Sequence, residues 1–213
     1  RKLPLSPLAI AQENGHAAIV TMLEHHLHPL HAAANTGDIE AMTQLLDGGA
    51  AVDQTRGDGE TPLWTASLAG RVDAARLLLD RGAEVNRGDD CGQTPLWVAC
   101  LKGHVDVARL CLERGADANR ATAKGTTPLG IARKKGHSSI VALLEDHIYP
   151  LHTAAKAGNV DEMMRLLDDG AAIDQTKKDG ATPLFIACWK GHVDAARLLL
   201  DKGAAVDRAE KQG

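Results

Sequence analysis

The sequence predicts an all-α solenoid, and three observations predict it. A Pro-Leu pair opens a short apolar segment seven times, at Pro7, Pro29, Pro62, Pro95, Pro128, Pro150 and Pro183. Leu30, Leu63, Leu96 and Leu129 follow one another at intervals of 33 residues, a fixed period of the kind that stacked repeats produce. Each copy then carries two segments of helical apolar spacing with a glycine between them. One such pair is too small to bury its apolar face alone, so neighbours must stack. Binding rather than catalysis is therefore the default function.

Residues 58–86 show how one unit is built. Thr61 is a good N-cap, and Pro62 suits the first helical position because it has no N–H to leave unpaired. A first helix of small and apolar residues runs from Leu63 to Ala69 and ends at Gly70. A second helix follows over about 72–81. Val72, Ala75, Leu77, Leu78 and Leu79 form its apolar face, opposite Arg71, Arg76 and Asp80. Gly82 stops it. Val85-Asn86 is extended and residues 88–92 are rich in turn formers, which gives a hairpin-like finger.

The pattern Thr94-Pro95-Leu96, Ala99, Gly103-His104-Val105-Asp106-Val107-Ala108-Arg109-Leu110 and Gly115-Ala116-Asp117-Ala118-Asn119 resembles the ankyrin repeat. The resemblance covers nearly the whole chain. It implies an ankyrin-repeat stack of antiparallel helix pairs with β-hairpin fingers at one edge, and partners that bind on the concave face made by fingers and first helices. Read this way, residues 1–213 are a single array. Its repeats cover about 6–27, 28–60, 61–93, 94–126, 127–148, 149–181 and 182–213.

Two of these repeats are shortened. Leu8 to Leu30 and Leu129 to Leu151 are 22 residues each, and the Gly-Ala-Asp-Val-Asn type of finger segment is missing near 24–30 and 145–151. These junctions, near Leu27 and Ile148, are expected to be the weakest interfaces. The defect itself recurs: Leu8 and Leu129, Leu30 and Leu151, and Leu63 and Leu184 are each 121 residues apart. This super-repeat, with no polar capping repeat at either end, predicts a window on a longer array.

Composition narrows the function further. Only 2% of residues are aromatic, so Ala, Leu and Val must pack thin helix pairs closely. The net charge of −4 argues against a nucleic-acid surface, and no apolar run approaches the roughly 20 residues of a membrane span. Cys91, Cys100, Cys111 and Cys188 form no Cys-x-x-Cys pair. They read as free, packed thiols in a reducing, intracellular and cytoplasmic setting. Cys100 and Cys188 share a register position with Ser67 and Ala34, which predicts a small buried slot.

His25, His26, His28 and His31 are the best candidates for a metal site. The super-repeat argues against one, since it keeps His26 as His147 and His31 as His152 but replaces His25 by Asp146 and His28 by Tyr149. The family resemblance implies local hydrogen bonds for His31 and His152. There is no Gly-x-Ser-x-Gly, P-loop or His-Glu-x-x-His pattern. Asp73, Asp106 and Asp194 recur at one position, where they suit a helix N-terminus. Neither an enzyme nor a cofactor is expected.

The resemblance places partner-reading residues at the finger tips and at the two positions before each helix-ending glycine. At the latter, Leu68, Leu101 and Trp189 are apolar where solvent is expected, and Lys102, Lys134, Lys135, Lys156 and Lys190 make a basic stripe. Arg56, Glu60, Asp89 and Asp90 stand on fingers. Apolar anchors rimmed by charge describe a protein-binding surface, while a solvated lysine face with one folded-down Trp is the plainer alternative. Trp64, Trp97 and Phe185 read as inter-repeat packing or as an aromatic ladder in the groove. The expected function is a non-catalytic scaffold for protein partners. The alternatives are a structural subunit held permanently in a larger assembly, or the ankyrin arm of a longer protein whose chemistry lies elsewhere.

Overall fold

A computed structural model describes residues 6–207. Within them lie fourteen α-helices arranged as seven pairs. The chain divides into two compact units, one ending at Val141 and one beginning at Ala142. The first holds α1 (Pro7–Glu13), α2 (Ala17–Leu27), α3 (Pro29–Thr36), α4 (Ile39–Asp47), α5 (Pro62–Ala69), α6 (Val72–Asp80), α7 (Pro95–Lys102), α8 (Val105–Glu113) and α9 (Pro128–Lys135). The boundary falls inside α10 (Ser138–Ile148), in the second shortened repeat. The second unit continues with α11 (Pro150–Ala157), α12 (Val160–Asp168), α13 (Pro183–Lys190) and α14 (Val193–Asp201).

The Pro-Leu phrase starts the first helix of each pair, as its chemistry requires. Ser6, Thr61, Thr94, Thr127 and Thr182 each accept a hydrogen bond from the backbone amide three residues on, with Pro at the first helical position. The two helices that follow shortened repeats differ. His28 and Tyr149 stand at the cap and give no side-chain cap bond. Instead each ring packs edge-to-face on the histidine three residues later, His28 on His31 at 5.6 Å and Tyr149 on His152 at 5.3 Å.

First helices stack on first helices. In the first unit α5 packs between α3 and α7, and α7 also packs on α9; in the second, α11 packs on α13. Leu30, Met42, Leu63 and Leu78 are fully buried in the first core, separated by alanines that let the helices approach. Leu151, Met163, Leu184 and Leu199 take the equivalent places in the second.

Polar ties lock each repeat to the next. His104 bonds through Nε2 to the carbonyl of Leu68 at 3.1 Å, His137 to that of Leu101 at 3.2 Å, and His192 to that of Lys156 at 3.1 Å. At the finger base, the Asp53 carboxylate accepts from the Glu84 amide, the Asn86 side-chain oxygen from the Asp117 amide, and the Asp174 carboxylate from the Ala205 amide. On the second helices Arg81 pairs with Asp47, Arg114 with Asp80, and Lys202 with Asp168, all at 2.8–2.9 Å. Exposed ion pairs of this kind contribute about 1 kcal/mol or less each, so they fix register more than stability.

Two expectations are corrected here. Cys100 and Cys111 are buried, and burial pushes both thiols up to about 12. Cys188 is exposed although it shares the register of Cys100, because among the described residues no helix pair follows α14 to cover it. Cys91, on a finger, is exposed as well. The second correction concerns His31 and His152. Their bonds are not local but reach 29 residues ahead, to the carbonyls of Glu60 at 3.0 Å and Ala181 at 3.1 Å, and so tie each first helix to its returning finger.

That arrangement makes acid stability depend on His31. Burial, with lesser contributions from Arg56 and His28, lowers its pKa to about 4, against the bond that its ring donates to the Glu60 carbonyl, which raises it. The unfolded chain therefore takes up a proton near pH 6.5 that the folded one refuses until about pH 4. Stability should be full above pH 6.5 and fall as pH drops through that window, by roughly 3 kcal/mol at its foot. Urea unfolding at several pH values checks this. His31→Gln, which keeps a donor for Glu60 but cannot titrate, should make the curve shallower, leaving the part due to His152, whose pKa burial also lowers.

Candidate functional site

In the first unit, the stacking of α3, α5, α7 and α9 aligns their C-terminal ends. Leu68 and Leu101 are half-buried there, and Lys102, Lys134 and Lys135 are exposed. The carbonyls of Leu68 and Leu101 are held by the histidines of the next repeat, so the backbone is fixed while the side chains project. The lysines lie in the last turns of α7 and α9, where the helix dipole favours cations. The dipole accounts for their charge but not for the leucines beside them.

The second unit repeats the arrangement with a larger anchor. Lys156, Trp189 and Lys190 are all exposed, and Trp189 keeps 71% of its surface open to solvent. The Lys190 ammonium lies 4.4 Å from the Trp189 ring centroid. Among the described residues the ring is not folded onto a neighbouring repeat, and no helix pair follows α14 there to meet it. A cation–π contact at an exposed site contributes only about 0.5–1 kcal/mol, little enough for a partner to displace.

The fingers are turns rather than hairpins with a ladder. Arg56 and Glu60 form an isolated antiparallel bridge. Elsewhere two backbone bonds close each turn: the amides of Asp89, Thr122 and Lys177 donate to the carbonyls of Gln93, Thr126 and Ala181, and the amides of Gly92, Gly125 and Gly180 donate back to the carbonyls of Asp89, Thr122 and Lys177. Three of the four named finger side chains are spent on the finger itself. Arg56 Nε donates to Glu60 Oε2 at 2.9 Å, and Asp89 Oδ1 accepts from the amides of Cys91 and Gln93. Asp90 is exposed, with its carboxylate beside Gly59 of the preceding finger.

The aromatic residues pack inward. Trp64 and Trp97 are nearly fully buried, and the Trp97 indole donates to the Thr126 carbonyl at 3.1 Å. Phe185 is half-buried. This is the inter-repeat packing arrangement, not a ladder in the groove. Of the four histidines near the first shortened junction, His25 and His26 are exposed, while His31 is committed to Glu60. Among the described residues no group of three or more His, Cys, Asp or Glu side chains is placed to hold a metal ion. No helix among them is long and apolar enough to cross a membrane.

Sequence reasoning missed the residues that fasten the surface: the Asp53, Asn86 and Asp174 clamps, and the Asp47, Asp80 and Asp168 ion pairs. Their signal was a constant offset, 31 residues for the clamps and 34 for the pairs.

A family profile described as ankyrin repeats (3 copies) matches residues 8–89 and 144–210, and one described as ankyrin repeats (many copies) matches residues 78–132. No curated protein matches the chain. Capped helix pairs, glycine-ended first helices and turn-shaped fingers recur through both units, and the matched segments take in most of the sequence: the chain belongs to the ankyrin-repeat family.

Proposed function

We propose that this chain is a non-catalytic scaffold that binds a protein partner through the ends of its first helices and its finger tips, and that residues 1–213 form one tandem array. Ankyrin repeats generally mediate protein–protein interaction. The observation that carries the reading here is Trp189, an open Trp flanked by lysine at the position where other repeats carry Leu68, Leu101, Lys134 and Lys156. Interlocking positions repeat from unit to unit, whereas these differ, as a surface that reads a partner requires. Net charge of −4 fits a protein partner better than nucleic acid. Four cysteines free of disulfides support a reducing, cytoplasmic setting.

Affinity capture from the protein's own source, compared between wild type and variants, tests the proposal. Trp189→Ala, or Lys134→Glu with Lys135→Glu, should weaken a captured partner by about tenfold or more. Identical partners with all variants, or none with wild type, would sink it.

A second reading has one observation in its favour. Val193, Leu200 and Val206 are exposed on and after α14, Val193 at 66% and Val206 at 73%, where among the described residues no further helix pair packs on them. Permanent burial in an assembly would cover them. That reading expects a partner that co-purifies in fixed ratio and is insensitive to Trp189→Ala.

A further inference from the structure

Where a finger is missing, the chain leaves a place for one. The amides of Asp90 and Ala123 donate to the carbonyls of Asp58 and Cys91, each on the finger before, at 2.8 and 2.9 Å. Both amides stand five residues before the proline of the next Pro-Leu. Gly57 holds the same register before Pro62, yet its amide has no partner among the described residues. The cause is in the sequence, because the 22-residue repeat ahead of it supplies no finger. Lys178, in the same register before Pro183 and after the other shortened repeat, has its amide unpartnered too. Among the described residues the bond is present after the full-length repeats 28–60 and 61–93 and absent after both shortened ones.

Around Gly57 the missing finger leaves a cleft of about 420 Å³, lined by Leu8, Gln12, His28, Arg56, Asp58 and Glu60. Arg56 and Glu60 neutralise each other. Asp58 is exposed and has no ion pair among the described residues, so the cleft carries one unbalanced carboxylate. An anionic ligand is disfavoured there. At the full-length junctions, the group that fills the equivalent place is a peptide turn with a backbone carbonyl.

We propose that this cleft docks a tight turn of a partner polypeptide, which presents a backbone carbonyl to the Gly57 amide and a lysine or arginine to Asp58. The partner thereby extends the row of fingers, with main-chain bonding for affinity and the cleft for specificity. The proposal rests on the protein-binding reading but not on Trp189 or the lysines, so either can fail without the other.

The probe is the peptide of residues 176–182, Thr-Lys-Lys-Asp-Gly-Ala-Thr, the chain's own lysine-bearing finger, with one cysteine added at each end and closed by their disulfide. It is titrated into the isotope-labelled full chain by NMR. The Gly57 amide should shift saturably, while those of Asp90 and Ala123, already bonded, stay fixed. Asp58→Lys, a change at an exposed position, should weaken the peptide by about fivefold or more. No Gly57 shift at millimolar peptide, equal shifts at all three amides, or indifference to Asp58→Lys would overturn the proposal.

Discussion

Leu63→Ala is expected to destabilise the first unit by about 3–5 kcal/mol. Leu63 is fully buried in a core that it shares with Met42, Leu78 and several alanines. Removing its branched end deletes both transfer energy and packing contacts. The neighbours cannot close the gap cheaply, since Ala66, Ala74 and Ala75 have no side chain to extend into it. A stack of thin helix pairs also lacks a second layer to relax from. Trp189→Ala is the contrast. At 71% exposure it should change stability by roughly 0.5 kcal/mol or less, although it removes far more atoms. Equilibrium urea unfolding of both variants checks the pair. A similar loss in the two would mean that Trp189 is packed and not presented.

Gly70→Ala should cost about 2–4 kcal/mol. Gly70 ends α5 with φ of +70°, and a Cβ there would lie 2.6 Å from the His104 ring. Two effects combine: the left-handed backbone strains any other residue, and the ring must move off the Leu68 carbonyl. Gly82 separates them. Its φ is +88°, but a Cβ there meets nothing within 4 Å, so Gly82→Ala should cost only about 1 kcal/mol. The excess measured at Gly70 is then the inter-repeat histidine contact. In the double variant Gly70→Ala, His104→Ala the clash term should vanish. Equal costs at Gly70 and Gly82 would show that the histidine bonds do not couple repeats.

Much of this fold was legible because its signals are local and recur. Thr61-Pro62-Leu63 specifies cap, first residue and core anchor in three positions, and every glycine stop could be checked against copies of itself. The finger loss was equally plain, since a 22-residue interval cannot hold what a 33-residue one does. What the sequence hid depends on partners many residues away. Cys188 reads like Cys100 until the cover over each is known. His31 and His152 look like local bonders, yet their acceptors lie 29 residues on. Within the candidate surface, charge at Arg56, Glu60 and Asp89 suggested readers of a partner. In the structure those side chains also bond within their own short turn. Trp64 and Trp97 carry the same chemistry as Trp189, and only register on the helix separates buried from presented.

Within each unit, on the proposed function, repeats interlocked through common residues hold a varied row of side chains outward for a protein partner. Hydrogen exchange, measured by mass spectrometry on the free protein and its complex with the captured partner, tests this most directly. The account predicts slowed exchange on binding at the first-helix ends, around 68–70, 101–103 and 134–136 in the first unit and 156–158 and 189–191 in the second, and at fingers 56–60 and 89–93. Slowing confined to the outer faces of the second helices, around Arg76, Arg109 and Arg165, would contradict it.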